Sequence, residues 1–128
     1  MAGPRLKKLV WIASSLKDLQ EFPGEIRSSM GYALYVAQAG GKHLDAKPLK
    51  GFHGAGVLEV VETLDGNTFR TVYTVRLADT VYVLHAFQKK ARKGIATPKQ
   101  QAELIRNRYE AAIRLHAART GAGQGDER

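Results

Sequence analysis

The sequence predicts one α+β domain, with a pair of N-terminal helices packed on a three- to four-stranded antiparallel sheet and a C-terminal helix closing the fold. Three features predict it. Before residue 41, apolar residues recur every three or four positions, punctuated by Pro23-Gly24 and Gly40-Gly41. Residues 57–87 change to β-branched and aromatic runs separated by tight-turn residues. After residue 97 the helical period returns, opened by Thr97-Pro98-Lys99-Gln100. There Thr97 can cap the first turn, Pro98 has the φ of a first helical position, and Gln100 completes a capping box. At 128 residues the chain suits one core, and no repeat or linker divides it. Residues 1–120 are read as the domain and 121–128 (GAGQGDER) as a disordered tail.

In chain order, residues 6–12 (LKKLVWI) form a short first strand or an extended lead-in anchored by Trp11. Ser14 or Ser15 starts the first helix, with Ser15-x-x-Asp18 as an approximate cap and Leu16, Leu19 and Phe22 as its apolar stripe. Pro23 opens the second helix, whose core face is Ile26, Met30, Leu34 and Ala37, broadened by Tyr32, Tyr35 and Val36. Residues 42–56 read as a loop containing His43, His53 and three lysines, Lys42, Lys47 and Lys50. Two histidines ten residues apart without a paired acid or cysteine make a poor metal signature, so no metal or other cofactor is expected.

Residues 57–64 and 68–77 form a hairpin through Asp65-Gly66-Asn67, and Ala78-Asp79 turns into a third strand over 80–87. Strict alternation places Arg70, Val72, Thr74 and Arg76 on one face of the middle strand, and Tyr73 on the other. In the third strand it groups Val81, Val83, His85 and Phe87. The final helix runs from Pro98 to about Arg119, with Ile105, Tyr109, Ala112 and His116 as its stripe.

Charge separates this chain from an ordinary globular domain. Its formal net charge is +8, which points to a polyanionic partner such as nucleic acid or an acidic protein. A membrane partner is not expected, because no apolar run approaches the roughly 18–20 residues of a span. The lack of cysteine removes disulfides, thiolate catalysis and sulfur-ligated zinc together. The basic N-terminus is followed by too short an apolar stretch for a signal peptide, so a cytoplasmic location is expected.

The positive charge is gathered where the third strand ends. No Asp or Glu lies between Asp79 and Glu103, whereas Lys89, Lys90, Arg92, Lys93 and Lys99 do. A strand thus delivers cations to the rim of the fold, beside a helix N-terminus that also favours anions.

The run FRTVYTVR at 69–76, followed by VYVLHAFQKKARKGIATPKQQAELIRNR at 81–108, resembles the phage-derived HigB-like toxins of the RelE/ParE superfamily. PLKGFHGAGVLEVVE at 48–62 fits the same family, so the resemblance spans most of the chain. It implies a RelE-like microbial RNase fold, cleavage of mRNA on the translating ribosome, and neutralisation by a cognate helix-turn-helix antitoxin.

Metal-free RNA cleavage requires deprotonation of a 2′-hydroxyl, neutralisation of the phosphorane and protonation of the leaving 5′-oxygen. Arg70 matches the superfamily's arginine in Arg70-Thr71-Val72-Tyr73, and a guanidinium can bind two phosphate oxygens at once. Its alternative is a strand arginine paired with Glu59 or Glu62 across the hairpin. Lys89 and Lys90 are candidate phosphate-positioning cations, with solubility as the alternative. His85 is a candidate proton carrier or a packed histidine. Tyr73 could stack a base but sits opposite Arg70, which favours the core. Lys50, Arg92 and Lys93 are candidate RNA-backbone contacts. RelE-type members carry lysines on the strand before this arginine, whereas residues 58–63 (LEVVET) have none. Glu59 or His85 is then the candidate for the proton. Two rivals stay open: a ParE-like toxin that poisons gyrase by binding alone, and a non-enzymatic nucleic-acid-binding module.

Overall fold

The computed structural model describes residues 5–52, 54, 56–89 and 98–126, and of residues 89 and 121–126 the backbone alone. In chain order the elements are β1 (Lys8–Trp11), α1 (Ser15–Gln20), α2 (Gly24–Gln38), β2 (Ala46–Pro48), β3 (Val57–Leu64), β4 (Asn67–Thr74), β5 (Thr80–Lys89) and α3 (Lys99–Asp126). They make an α+β fold around one five-stranded sheet ordered β1-β5-β4-β3-β2. The sheet is mixed rather than antiparallel throughout, because β1 runs parallel to β5 while the other pairs are antiparallel. The parallel pair follows from the crossover: two helices and three strands intervene between β1 and β5, so no hairpin constrains their direction.

β2 was not expected. Residues 42–56 read as loop because of their glycines and Pro48, yet Ala46–Pro48 adds a short edge strand to β3. A proline is tolerated at an edge, where its missing N–H interrupts no inner ladder. The β3–β4 turn is tighter than its sequence range suggested. Asp65 and Gly66 both take positive φ, 52° and 81°, as a two-residue type I′ turn requires.

α1, α2 and the turn between them cover one face of the sheet through Leu19, Phe22, Ile26, Met30, Leu34 and Ala37, packed on Val60, Phe69, Tyr73, Val81 and Val83. Phe22 meets Phe69 edge to face at 5.0 Å between ring centroids. Three residues assigned to the helical core face outward instead: Leu16 is 39% exposed, Tyr32 59% and Tyr35 47%. α3 covers the other face, placing Ile105, Tyr109 and Ala112 against Val72, Tyr82 and Leu84. It runs on to Asp126, past the expected end near Arg119.

Gly56 anchors the approach to β3. Its φ is +66°, and a Cβ there would stand 3.1 Å from the Cβ of Arg76 and 3.3 Å from the Arg76 backbone. Its carbonyl accepts bonds from the Val75 N–H and the Thr74 hydroxyl. Gly56→Ala is therefore expected to lower stability by roughly 1–2 kcal/mol, the strain of a left-handed L-residue, measured by urea denaturation.

Candidate active site

The sheet face under α3 gathers the buried Glu59, Arg70 and His85. In β4, Arg70 lies opposite Phe87 of β5, and Val72 lies opposite His85. Between Val72 and Tyr73 the register slips by one, leaving Leu84 as the extra residue of a bulge. The bulge reverses the phase of β5. Val81 and Val83 face α2, whereas His85 and Phe87 face α3 beside Arg70. The expected grouping of all four on one face is thus corrected, because simple alternation cannot register an inserted residue.

Arg70 is not a free surface cation. Its Nη1 donates to Glu59 Oε1 at 2.6 Å, and the two side chains are only 9% and 8% exposed. Glu59 lies opposite Val72, so the pair runs diagonally across β3 and β4. This is the cross-hairpin pairing held open for Arg70, but buried rather than at the surface.

His85 is 6% exposed and stacks on Phe87 at 4.8 Å. Its Nε2 lies 2.5 Å from Gln101 Oε1, and its Nδ1 lies 3.3 Å from Arg108 Nη1. Both partners come from α3. Burial lowers the His85 pKa below its ordinary value and the Arg108 charge adds to this, while the Gln101 bond and Asp18 pull the other way. Arg108 also donates to the Leu84 carbonyl at 3.0 Å and to Ser14 Oγ at 3.2 Å. Ser14 in turn donates to Asp18 Oδ2 at 2.8 Å. Burial lowers the Arg108 pKa too, with Asp18 opposing.

Sequence reasoning missed Arg108, Gln101, Ser14 and Asp18 as parts of this site. Arg108 and Gln101 are seven positions apart, two helical turns, which is the signal that could have placed them on one face of α3.

The other candidates are placed as follows. Tyr73 is fully buried on the α2 face, where burial pushes its hydroxyl up to about 12, so the structure separates it from Arg70 and His85. Lys50 is exposed in the turn after β2. It borders an open depression of about 440 Å³ lined also by Pro48, Leu49 and Phe52. Arg106 of α3 ties that loop down, lying 4.6 Å over the Phe52 ring and donating to the Gly51 carbonyl. Lys89 closes β5 with its Cα opposite Thr68. Lys90, Arg92, Lys93, His53 and the capping Thr97 lie outside the described residues.

On the far side of the sheet, His43, Asp45 and Glu62 bring ligand-type atoms within 4.8 Å of one another. Burial and a bond to Asp45 raise the Glu62 pKa, while Ser29 and His43 oppose this. No metal is assigned to this group.

These two displaced groups predict opposite pH slopes. The folded His85 holds its proton less tightly than an unfolded histidine, so its contribution is complete above about pH 6.5 and is lost as pH falls. Folded Glu62 holds its proton more tightly, so its contribution is present below about pH 4.5 and is lost as pH rises through the folded value. His85→Asn is expected to remove the rising slope below neutrality and leave the falling one, read from urea midpoints across pH 4–8.

The chain belongs to the family described as "Phage derived protein Gp49-like (DUF891)", whose model matches residues 17–110. That match includes Glu59, Arg70, His85, Lys89, Lys90 and Arg108. Among solved structures, the chain is similar to one in the toxin–antitoxin complex RelBE2 from Mycobacterium tuberculosis, at 18% identity and a TM-score of 0.44. The similarity covers 67% of this chain and 94% of that one. No curated protein matches it. Among the described residues, no helix is long and apolar enough to cross a membrane.

Proposed function

We propose that the chain is a HigB-like toxin of a type II toxin–antitoxin pair, and that it is a metal-independent endoribonuclease cutting mRNA on the translating ribosome. One observation carries the reading to this level: Glu59, Arg70 and His85 share the sheet face beneath α3, and the strand that holds His85 leads to the basic run that begins at Lys89. Membership of the Gp49-like family and the sequence resemblance to HigB-like toxins support the toxin assignment.

In this reading Glu59 takes the 2′-hydroxyl proton as the oxygen attacks the adjacent phosphorus. Arg70, already held beside Glu59, neutralises the charge that develops on the phosphorane. The P–O5′ bond then breaks, leaving a 2′,3′-cyclic phosphate and a 5′-hydroxyl protonated from solvent. Lys89, Lys90, Arg92, Lys93 and Lys50 hold the RNA backbone. An antitoxin of the helix-turn-helix class, expressed with the toxin, neutralises it.

Lys89→Glu/Lys90→Glu is expected to abolish growth arrest on induction without antitoxin, and wild-type cleavage on purified ribosomes should weaken steeply with salt. Arrest by the charge-reversed protein would overturn the assignment. The buried, paired state of Arg70 favours a second reading, a gyrase-poisoning toxin that acts by binding. DNA breaks accompanying arrest, with mRNA intact, would select it.

A further inference from the structure

The bonds around His85 have fixed directions. A guanidinium has only donors, so Arg108 Nη1 must donate to Nδ1, which must carry the lone pair. The ring proton is then on Nε2, where it donates to Gln101 Oε1. The bulge at Leu84 brings the Leu84 carbonyl and His85 Nδ1 within reach of the same Arg108 nitrogen. The other Arg108 nitrogen is tied through Ser14 to Asp18, so the guanidinium is anchored at both ends.

We propose that Arg108 is a positioning residue: by donating to Nδ1 it confines the ring proton of His85 to Nε2, so that His85 meets a phosphodiester oxygen as a neutral N–H donor rather than as a proton shuttle. The ligand class rests on the endoribonuclease reading, whereas the tautomer rests on the bonds alone. A phosphate oxygen would take the place now held by the Gln101 oxygen. With its only lone pair occupied, His85 cannot serve as the base, which leaves that role to Glu59. Neutral imidazole donors of this kind are an established way to polarise an oxygen at neutral pH.

Among the described residues, Arg108 and Asp18 act on the charge of His85 from two helices, and the Glu59–Arg70 pair of β3 and β4, its charges matched, lies on the same sheet face. Arg108 of α3 disfavours an imidazolium, and Asp18 of α1 favours one. Asp18 accepts the Ser14 hydroxyl bond, and that hydroxyl accepts from Arg108. Removing the guanidinium therefore frees Nδ1 and leaves Asp18 unopposed.

The test is long-range proton–nitrogen NMR of the imidazoles in the full chain, titrated across neutral and mildly acidic pH. His85→Asn assigns the signals. Wild type is expected to show an unprotonated Nδ1 and a protonated Nε2 throughout neutral pH, titrating below the range of a free histidine. Arg108→Met keeps the packing but not the donor, and should mix the two tautomers and raise the titration midpoint. Arg108→Lys keeps a donor and should restore the wild-type pattern. A wild-type ring protonated on Nδ1, or an unchanged ring in a folded Arg108→Met protein, would overturn the proposal. These spectra need no RNA, so absence of mRNA cleavage with the expected spectra would reject the endoribonuclease reading and leave the tautomer assignment standing.

Discussion

Replacing Arg70 with methionine is expected to destabilise the fold by about 3–5 kcal/mol, the cost of leaving one charge of a buried pair uncompensated. The pair meets the conditions for so large an effect, with a 2.6 Å bond and both side chains largely shut off from water. An exposed pair in the same place would contribute no more than about 1 kcal/mol. The paired substitution Glu59→Leu/Arg70→Met removes both charges at once. It is expected to recover most of the loss, since apolar replacements of buried pairs range from neutral to stabilising. Urea denaturation of the three proteins gives the answer. A loss below about 1 kcal/mol in Arg70→Met would mean that water screens the pair.

The second large effect concerns chemistry. Glu59→Gln keeps an oxygen that can accept the Arg70 bond but removes the proton acceptor. Under the proposed mechanism, single-turnover cleavage of ribosome-bound mRNA should fall by about 10²–10⁴-fold, the usual contribution of a general base. Binding to the ribosome should change little, because the basic surface is untouched. A Glu59→Gln protein cutting at the wild-type rate would place the base elsewhere.

The two predictions together explain why Arg70 needs care as a probe. Truncating it to alanine or methionine would remove the proposed phosphate ligand and unsettle the sheet in the same step. Lysine at this position keeps a charge for Glu59 and loses only the two-pronged guanidinium.

Much of the fold was legible in the sequence because its signals are local. The Asp65-Gly66 turn, the α2 core residues Ile26, Met30, Leu34 and Ala37, and the Ile105–Ala112 stripe of α3 each follow from spacing within a few residues. The parallel placement of β1 was not legible, since direction after a long crossover depends on packing that no short window contains. Nor was the bulge at Leu84, which looks like one more apolar residue in an apolar strand.

That single insertion decided how the site reads. It turns His85 and Phe87 toward α3, and so brings His85 to Gln101 and Arg108. The tyrosines of α2 misled for a different reason. Tyr32 and Tyr35 flank the buried stripe and stack on each other at 6.5 Å, half in solvent, which spacing alone cannot distinguish from burial. Arg70 was legible as a residue of interest, yet its state was not. Register across β3 and β4 decides whether it meets Glu59 or Glu62, and the structure settles on Glu59.

The most direct test of the central claim is to map mRNA 5′-ends within minutes of inducing the protein without antitoxin, comparing wild type with Arg70→Lys. The account predicts new ends inside translated reading frames for wild type, and their loss in an Arg70→Lys protein of unchanged fold. Growth arrest with intact mRNA, or undiminished cleavage by Arg70→Lys, would contradict it.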